Sequence, residues 1–301
     1  MTASGKLALP WMAAVLTVAI WAETFVSTKL LLDNGLVPPD IFFFRFVLAY
    51  LFIWIFSHER FFAENAADEF RMFLLGLSGG SLYFLAENTA LKFSTASNVA
   101  ILVGSAPLIT AIIVGLRYRE ERMNWRQWVG SLISFAGMGL VVLNGKVNLH
   151  INPLGDALAV GAAVLWGFYS LILRKISGKY SVIFITRKVF AYGLLSMVPF
   201  LMFIRPLSLD ASILSKPVVW GNLVYLGIVA SMLCFLMWNW ALSKLGTVRT
   251  TNLIYGQCFF TMLIASMVLG ERITPMAVLG TVVLIAGMVM NDHYASRRSG
   301  S

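Results

Sequence analysis

The chain has 301 residues, of which 59% are hydrophobic and only 12% are charged, and its formal net charge is +9. A soluble domain is closer to about a quarter charged, and a globule of this length has too little interior for so many apolar side chains. The composition therefore excludes an ordinary soluble protein and predicts an all-α membrane protein that crosses a lipid bilayer several times.

The apolar residues fall into ten blocks, each long enough for a membrane-spanning helix, because roughly 20 helical residues cross the apolar core of a bilayer. The predicted spans are residues 9–32, 40–57, 71–91, 97–116, 127–145, 154–173, 182–204, 218–242, 250–269 and 274–291. The connecting loops are short, so no separate soluble domain is predicted.

Lysine and arginine in the loops predict the orientation, because cytoplasmic loops of membrane proteins carry an excess of both. With a cytoplasmic N-terminus, fourteen basic residues lie on the cytoplasmic side and five on the outer side. The five are Lys92, Lys146, Arg205, Lys216 and Arg272. We therefore expect a multi-pass protein of a bacterial cytoplasmic membrane with both termini in the cytoplasm. The same bias explains the net charge without a nucleic-acid partner.

The second half of the chain repeats the first at an offset of about 150 residues. The Glu-Arg pair that begins at Glu121 recurs at Glu271, and FAGM in the fifth span recurs as IAGM in the tenth. The repeat divides the chain into residues 1–145 and 146–301, with five predicted spans each. Because five is odd, the halves must enter the membrane from opposite sides. Inverted repeats of this kind are typical of transporters, whose substrate site lies between the repeats.

Further motifs occupy corresponding positions in both halves. The first half contains WAETFVSTK, PPDIFFFRF, ALKFSTASNVAIL and REER, and the second contains NPLGDALAVGAAVLWGFY, ALSKLGTVRTTNLI, GERITP and LIAGM. In their order and spacing they resemble the EamA family of the drug/metabolite transporter superfamily, over essentially the whole chain. The resemblance implies ten transmembrane helices in two inverted five-helix repeats around a central cavity. It also implies export of small metabolites, amino acids or drugs.

Ionisable residues inside the spans are candidates for the solute pathway, because a charge within the bilayer is costly. Glu23, Arg45 and Glu87 all fall in the outer half of the membrane, so they could meet. One interpretation is a structural ion pair between Arg45 and either glutamate. The other is a carboxylate, Glu23 in the first place, that carries a proton during transport. Arg187 is the repeat counterpart of Arg45, and its neighbour Lys188 is expected to snorkel towards the interface.

Uncharged polar and aromatic residues complete the predicted pathway. The repeat-related Asn88 and Asn239 need hydrogen-bond partners if they are buried, and either helix packing or a solute would supply them. Pro107 frees a backbone carbonyl in the fourth span and is a candidate gate, and Gln257 stands at its position in the second half. The aromatic candidates, suited to an apolar or aromatic solute, are Tyr83, Trp166, Tyr169, Trp238 and Tyr255.

Enzyme, metal and cofactor chemistry have no support in the sequence. Cys234 and Cys258 lie in apolar spans, and no histidine falls within a predicted span. The stretch GLSGG at residues 76–80 matches a nucleophile-elbow pattern, but that motif needs a strand-to-helix turn and a histidine partner. We interpret its glycines, Gly76 and Gly80, as a packing face.

The sequence thus predicts a secondary transporter that exports a small organic solute by alternating access. No nucleotide-binding loop is present, so energy would come from gradients, protons among them, or from the solute itself. The alternative within transport is import or exchange of an anionic, phosphorylated metabolite, which requires several basic residues in the cavity. An integral membrane protein without a transport function is the third hypothesis.

Overall fold

The computed structural model describes residues 3–57, 60–94, 96–143, 152–203, 206–207, 210–269 and 273–299, and within these ranges the chain forms helices and no strand. The helices in chain order are α1 (Ala3–Asp33), α2 (Pro38–Ile53), α3 (Ala66–Gly76), α4 (Leu82–Phe93), α5 (Ala96–Val103), α6 (Ala106–Arg117), α7 (Trp125–Leu143), α8 (Pro153–Ile176), α9 (Val182–Phe203), α10 (Ala211–Leu214), α11 (Pro217–Val224), α12 (Cys234–Leu245), α13 (Thr247–Thr251), α14 (Gln257–Leu269) and α15 (Pro275–Ser299).

Seven helical stretches in the described ranges are long and apolar enough to cross a membrane. They are Ala8–Asp33, Asn98–Arg117, Trp125–Leu143, Pro153–Ile176, Val182–Phe203, Pro217–Leu245 and Pro275–His293. Each overlaps one predicted span. The other three predicted spans coincide with α2, with α3 and α4 together, and with α13 and α14 together. Length and composition therefore establish a multi-pass helical protein, with seven of the ten predicted crossings supported in this way.

α7 and α15, the last long helix of each half, cross at glycines. A Cβ atom on Gly137 would lie 2.4 Å from the backbone nitrogen of Leu284, and one on Gly287 would lie 2.5 Å from the carbonyl oxygen of Gly130. A side chain at either position would thus collide with the facing helix, and glycine is what allows so close an approach. Since residue numbers fall along α15 as they rise along α7, the two helices run in opposite directions.

The two halves interleave and do not form separate bodies. α4 packs on α8, and its repeat counterpart α12 packs on α1. α9 packs against α3 and the segment that follows it, where a Cβ atom on Gly76 would lie 2.6 Å from the backbone nitrogen of Gly193. A Cβ atom on Gly80 would lie 3.3 Å from the Cα atom of Gly193. The predicted packing role of Gly76 and Gly80 is confirmed.

Both halves contain irregular helix at corresponding places. π-helical segments join α3 to α4 at Leu77–Ser81 and α11 to α12 at Tyr225–Leu233. Gly80 in the first segment has non-helical backbone angles, φ −115° and ψ −105°. A 3₁₀ segment, Asn252–Gly256, joins α13 to α14. π-helical turns within α-helices often occur at functional sites.

The fourth predicted span is broken three residues before Pro107. α5 ends at Val103, α6 begins at Ala106, and the Gly104 backbone nitrogen donates to the carbonyl of Ala100 at 2.9 Å. Pro107 therefore occupies the first turn of α6, where a helix does not use the backbone N–H group that proline lacks. Pro107 thus lies beside a helix break, and its role as a gate stays a prediction.

Charged side chains tie α3 to α9 and to the turn before it, at one end of the bundle. The Asp68 carboxylate accepts hydrogen bonds from Lys179 and from the Tyr180 hydroxyl, the latter at 2.8 Å, and it also pairs with Arg71. These donors, Lys179 first, hold the pKa of the Asp68 carboxyl well below its usual range. We call this end, which also holds the 118–124 turn and Arg174, the basic end.

Arg187 and Lys188 contribute to the same set of contacts. Arg187 donates to the Ser57 hydroxyl at 2.9 Å and to the carbonyl of Arg60. Lys188 is buried and forms an ion pair with Glu69. The expectation that Lys188 snorkels to the interface is therefore wrong, because a carboxylate from α3 meets it inside the protein.

A cavity between the two halves

A cavity lies where the two halves of the chain meet. Its volume is about 50 Å³, which is room for a few water molecules and far below the several hundred Å³ of a typical ligand pocket. The wall consists of Trp21, Thr24, Phe25, Arg45, Tyr83, Phe84, Glu87, Val103, Ala106, Trp166, Phe235, Ile254 and Gln257. A solute of metabolite size would require the surrounding helices to move apart.

Repeat-related residues form much of this wall. Two pairs, each 151 residues apart in the sequence, are Phe84 and Phe235, and Val103 and Ile254. Asn88 and Asn239, which do not line the cavity, are also 151 residues apart. Trp21 and Trp166, which correspond in the first helix of each half, also line the cavity, with ring centroids 5.5 Å apart. The cavity therefore lies at the interface between the repeats.

Arg45 is 3% exposed, and among the described residues only the Nε atom of its guanidinium has a hydrogen-bond partner. Its Nε donates to the Ser231 hydroxyl at 2.5 Å, and its guanidinium carbon lies 4.1 Å from the centre of the Phe84 ring. Among the described residues, the two terminal amino groups of Arg45 have no hydrogen-bond partner. A buried cation is costly without compensating contacts, so these amino groups are suited to receive an acceptor within the cavity.

Glu87 and Tyr83 belong to the same wall. The Tyr83 hydroxyl donates to Glu87 Oε1 at 2.7 Å. Among the described residues, no salt bridge joins Glu87 to Arg45, so the predicted structural ion pair is absent, although the opposite charges attract each other across the cavity. Glu87 is bonded to the hydroxyl of Tyr83, and Arg45 is bonded to the hydroxyl of Ser231. Both charged groups can therefore form further hydrogen bonds.

Glu23 does not belong to the wall. Its carboxylate accepts a hydrogen bond from Ser27 at 3.4 Å and lies beside the hydroxyl of Tyr225, in the π-helical segment of the second half. No salt bridge between Glu23 and Arg45 occurs within the described part of the chain, so the second possible ion pair is also absent. The proton-carrying role predicted for Glu23 stays a prediction.

Several predicted pathway residues are buried behind the wall. Tyr169 donates its hydroxyl to Asn239 Oδ1 at 2.6 Å, and Asn239 Nδ2 donates to the Thr186 hydroxyl at 3.0 Å. Trp238 packs on Trp21 with ring centroids 5.1 Å apart. Tyr255 is fully buried in the cluster that contains Met138 and Cys258. Of the predicted candidates, the cavity wall contains Arg45, Tyr83, Glu87, Trp166 and Gln257.

Sequence reasoning missed part of the aromatic wall, although a signal for it was present. Trp21 is the repeat counterpart of Trp166, and its Nε1 donates to the Ala230 carbonyl at 2.9 Å. Phe84 and Phe235 correspond at the same separation as the two asparagines. Applying the repeat to Trp166 would have found Trp21, and a search for repeat-related aromatic pairs would have found Phe84 and Phe235. Applying the repeat to Tyr169 would also have found Thr24, whereas Phe25 has no equivalent signal, because helix rotation alone brings it to the cavity.

Comparison with known proteins follows the two-repeat pattern. A sequence model of the EamA-like transporter family matches residues 9–143 and again residues 153–291. An "uncharacterized transporter" of Archaeoglobus fulgidus is 29% identical over 91% of this chain and 94% of its own length. A "probable terminal-alkyne amino-acid exporter" of Streptantibioticus cattleyicolor is 25% identical over 97% of both chains.

Two further comparisons agree. A "probable amino-acid metabolite efflux pump" of Escherichia coli is 25% identical over 92% of this chain and 93% of its own length. One crystal structure covers 95% of this chain and 98% of its own, with a TM-score of 0.73 and 17% identity. At that identity the structural likeness concerns the fold alone.

Proposed function

The chain belongs to the EamA-like transporter family, and from this premise we propose that it exports a small organic solute through the cavity by alternating access. Two relatives carry names that describe amino-acid export, which supports the direction and the size of the solute. Alternating access fits two halves of opposite orientation, because small rocking movements then close one end of a pathway while they open the other.

The proposal includes ten membrane-crossing helices in two inverted halves. The antiparallel crossing of α7 and α15 supports the inversion, since these helices hold corresponding places in the repeats. The basic end would face the cytoplasm, in keeping with the excess of lysine and arginine in cytoplasmic loops. A reporter fused after Ser301 tests this orientation: a cytoplasmic signal is expected, and a signal from the outer side would contradict it.

The chemistry of the cavity favours a small zwitterion with an apolar body, such as a hydrophobic amino acid. The single observation that carries this is the Arg45 guanidinium, buried in the wall with its terminal amino groups unused. Those groups match the planar, bidentate acceptor geometry of a carboxylate. Glu87 would receive the ammonium group, and the faces of Trp21 and Trp166 would attract the same cation and cover the apolar part.

Import or exchange of a phosphorylated metabolite has less support. That function requires several cations around the solute, and besides Arg45 the predicted spans offer Arg187 and Lys188 for this role. Both side chains instead contact Ser57, the Arg60 carbonyl and Glu69 at the basic end. Among the described residues, Arg45 is the only basic residue that lines the cavity. A single guanidinium group is a weak match for a doubly charged phosphate.

The two π-helical segments would act as hinges during opening. Each interrupts a long helix of the cavity wall, and the first contains Gly80 with its non-helical backbone angles. Such interruptions are places where a helix can change its course. Movement at both segments would enlarge the cavity from about 50 Å³ to the size of a solute.

Transport by the purified protein in proteoliposomes tests the proposal. Radiolabelled phenylalanine is the first probe, with 3-phenylpropionate and phenethylamine as analogues that lack the ammonium and the carboxylate respectively. Protein-dependent flux of phenylalanine, well above that of either analogue and of protein-free liposomes, is expected. Flux of none of the three would contradict the proposed solute class, and flux restricted to phosphorylated solutes would favour the alternative.

A further inference from the structure

Asn88 and Asn239 hold corresponding positions in the two halves but differ completely in their contacts. Asn239 uses both heteroatoms of its amide, accepting from Tyr169 and donating to Thr186. Asn88 is 1% exposed, and neither its oxygen nor its nitrogen has a hydrogen-bond partner in the described structure. The repeat thus contains one satisfied amide and one unsatisfied amide at the same place.

The sequence of the first half explains why the Asn88 amide is unsatisfied. By the pairing of Trp21 with Trp166, the counterpart of Tyr169 is Thr24, whose hydroxyl donates to the backbone of its own helix at the Trp21 carbonyl, 2.8 Å away. By the pairing of Arg45 with Arg187, the counterpart of Thr186 is Phe44, which has no hydrogen-bonding group. Both partners of Asn239 have therefore been lost around Asn88.

An unsatisfied buried amide is destabilising, because it has given up water without gaining a protein partner. A leucine of similar size would fit without that penalty, so folding alone does not account for an asparagine here. Asn88 lies one helical turn from Phe84 on the same face of α4, and next to Glu87 in the chain. Both neighbours line the cavity. Enlargement of the cavity along this face of α4 would bring the amide into it.

We propose that Asn88 is a solute-binding, specificity-determining residue that becomes exposed when the cavity opens, whereas Asn239 is a structural residue. The Asn88 amide would bind a group that donates or accepts, such as the carboxylate or ammonium of the zwitterion. This inference rests on the proposed function, because it assigns a residue to the solute of that same cavity.

Two leucine variants test the division of roles. Asn88→Leu is expected to melt at or above the wild-type temperature in detergent, while its kcat/KM for phenylalanine in proteoliposomes falls at least about ten-fold. Asn239→Leu is expected to melt several degrees lower, because it leaves the Tyr169 hydroxyl without an acceptor. The proposal is overturned if N88L melts as low as N239L, or if N88L transports within about two-fold of wild type.

A labelling experiment that needs no transport separates this inference from the proposed solute class. In a background with Cys234→Ala and Cys258→Ala, Asn88→Cys is treated with a charged, membrane-impermeant methanethiosulfonate reagent. Labelling is expected, with protection by phenylalanine, while Ala90→Cys on the buried side of the same helix should stay unlabelled. If the cysteine at position 88 is labelled but phenylalanine is not transported, the proposed solute class is wrong. The labelling would still show that position 88 lies in the solute pathway. An unreactive cysteine at position 88 would overturn the inference.

Discussion

Gly137 of α7 lies directly against Gly280 of α15: a Cβ atom on Gly137 would be 2.7 Å from the Gly280 carbonyl oxygen, and one on Gly280 would be 2.8 Å from the Gly137 carbonyl oxygen. The repeat-related contact, between Gly130 and Gly287, is equally close, since a Cβ atom on Gly287 would be 2.5 Å from the Gly130 carbonyl oxygen. It places the ends of both halves against each other with no side chain between them. The glycines therefore fix the relative position of the two halves.

Gly137→Ala should destabilise the protein by about 1–3 kcal/mol, because the new methyl group would overlap backbone atoms of α15. Gly139→Ala is the matched control two residues away, since a Cβ atom there has no neighbour within 4 Å. That variant should be neutral or stabilising by about 0.5–1 kcal/mol, as for glycine to alanine within a helix. Melting curves in detergent measure both, and equal stabilities would contradict the close crossing.

Arg45→Ala should leave the melting temperature near that of wild type and lower transport at least about ten-fold, which corresponds to about 1.4 kcal/mol. Its repeat counterpart gives the opposite expectation. Arg187→Ala removes hydrogen bonds to Ser57 and to the Arg60 carbonyl, so it should melt several degrees lower while the folded fraction still transports. If both variants lowered the melting temperature by the same amount, Arg45 would have a structural role, as Arg187 does.

Glu87→Gln should abolish the pH dependence of transport, because Glu87 is the carboxylate that the structure places in the cavity wall. Glu23→Gln should keep that dependence, since Glu23 contacts Ser27 and Tyr225 away from the wall. Initial rates in proteoliposomes, measured from mildly acidic to mildly alkaline pH, distinguish the two. Loss of the dependence in the Glu23 variant alone would identify Glu23 as the proton carrier.

Asp68→Asn should lower the melting temperature by several degrees at neutral pH, because four donors lose a charged acceptor. Since the folded-state pKa is lowered, the stabilisation is present above the unfolded-state pKa of about 3.9 and is lost as pH falls towards the folded-state value. The difference between variant and wild type should therefore shrink below about pH 4. Asp33→Asn, which removes an exposed pair with Lys29, is the control, and a constant difference at all pH values would contradict the assignment.

The sequence predicted the class of fold well, because long apolar blocks and an internal repeat are direct consequences of a helical membrane protein built by duplication. The structure places Arg45, Tyr83, Glu87, Trp166 and Gln257 in the cavity wall, and their role in a solute pathway stays a prediction. Each of them is a polar or aromatic residue in the middle of an apolar span, which is a visible departure from its surroundings.

Other features depend on helix rotation, which an apolar span does not reveal. Glu23 and Arg45 lie at similar depth by sequence, yet Glu23 turns towards Tyr225 and away from the cavity. Lys188 appeared free to reach the interface because its partner, Glu69, lies over a hundred residues earlier in the chain. The helix break before Pro107 lies at Gly104, which packs closely against Met138 of α7, and a tertiary contact of this kind is not visible in the span.

Equilibrium binding of radiolabelled phenylalanine to the purified protein tests the central claim most directly, namely that the cavity between the halves holds a zwitterion between Arg45 and Glu87. In wild type, phenylalanine should compete better than 3-phenylpropionate or phenethylamine. Arg45→Ala should remove the advantage over phenethylamine, and Glu87→Gln should remove the advantage over 3-phenylpropionate. The same order of competitors in all three proteins, with unchanged affinity for phenylalanine, would contradict the account.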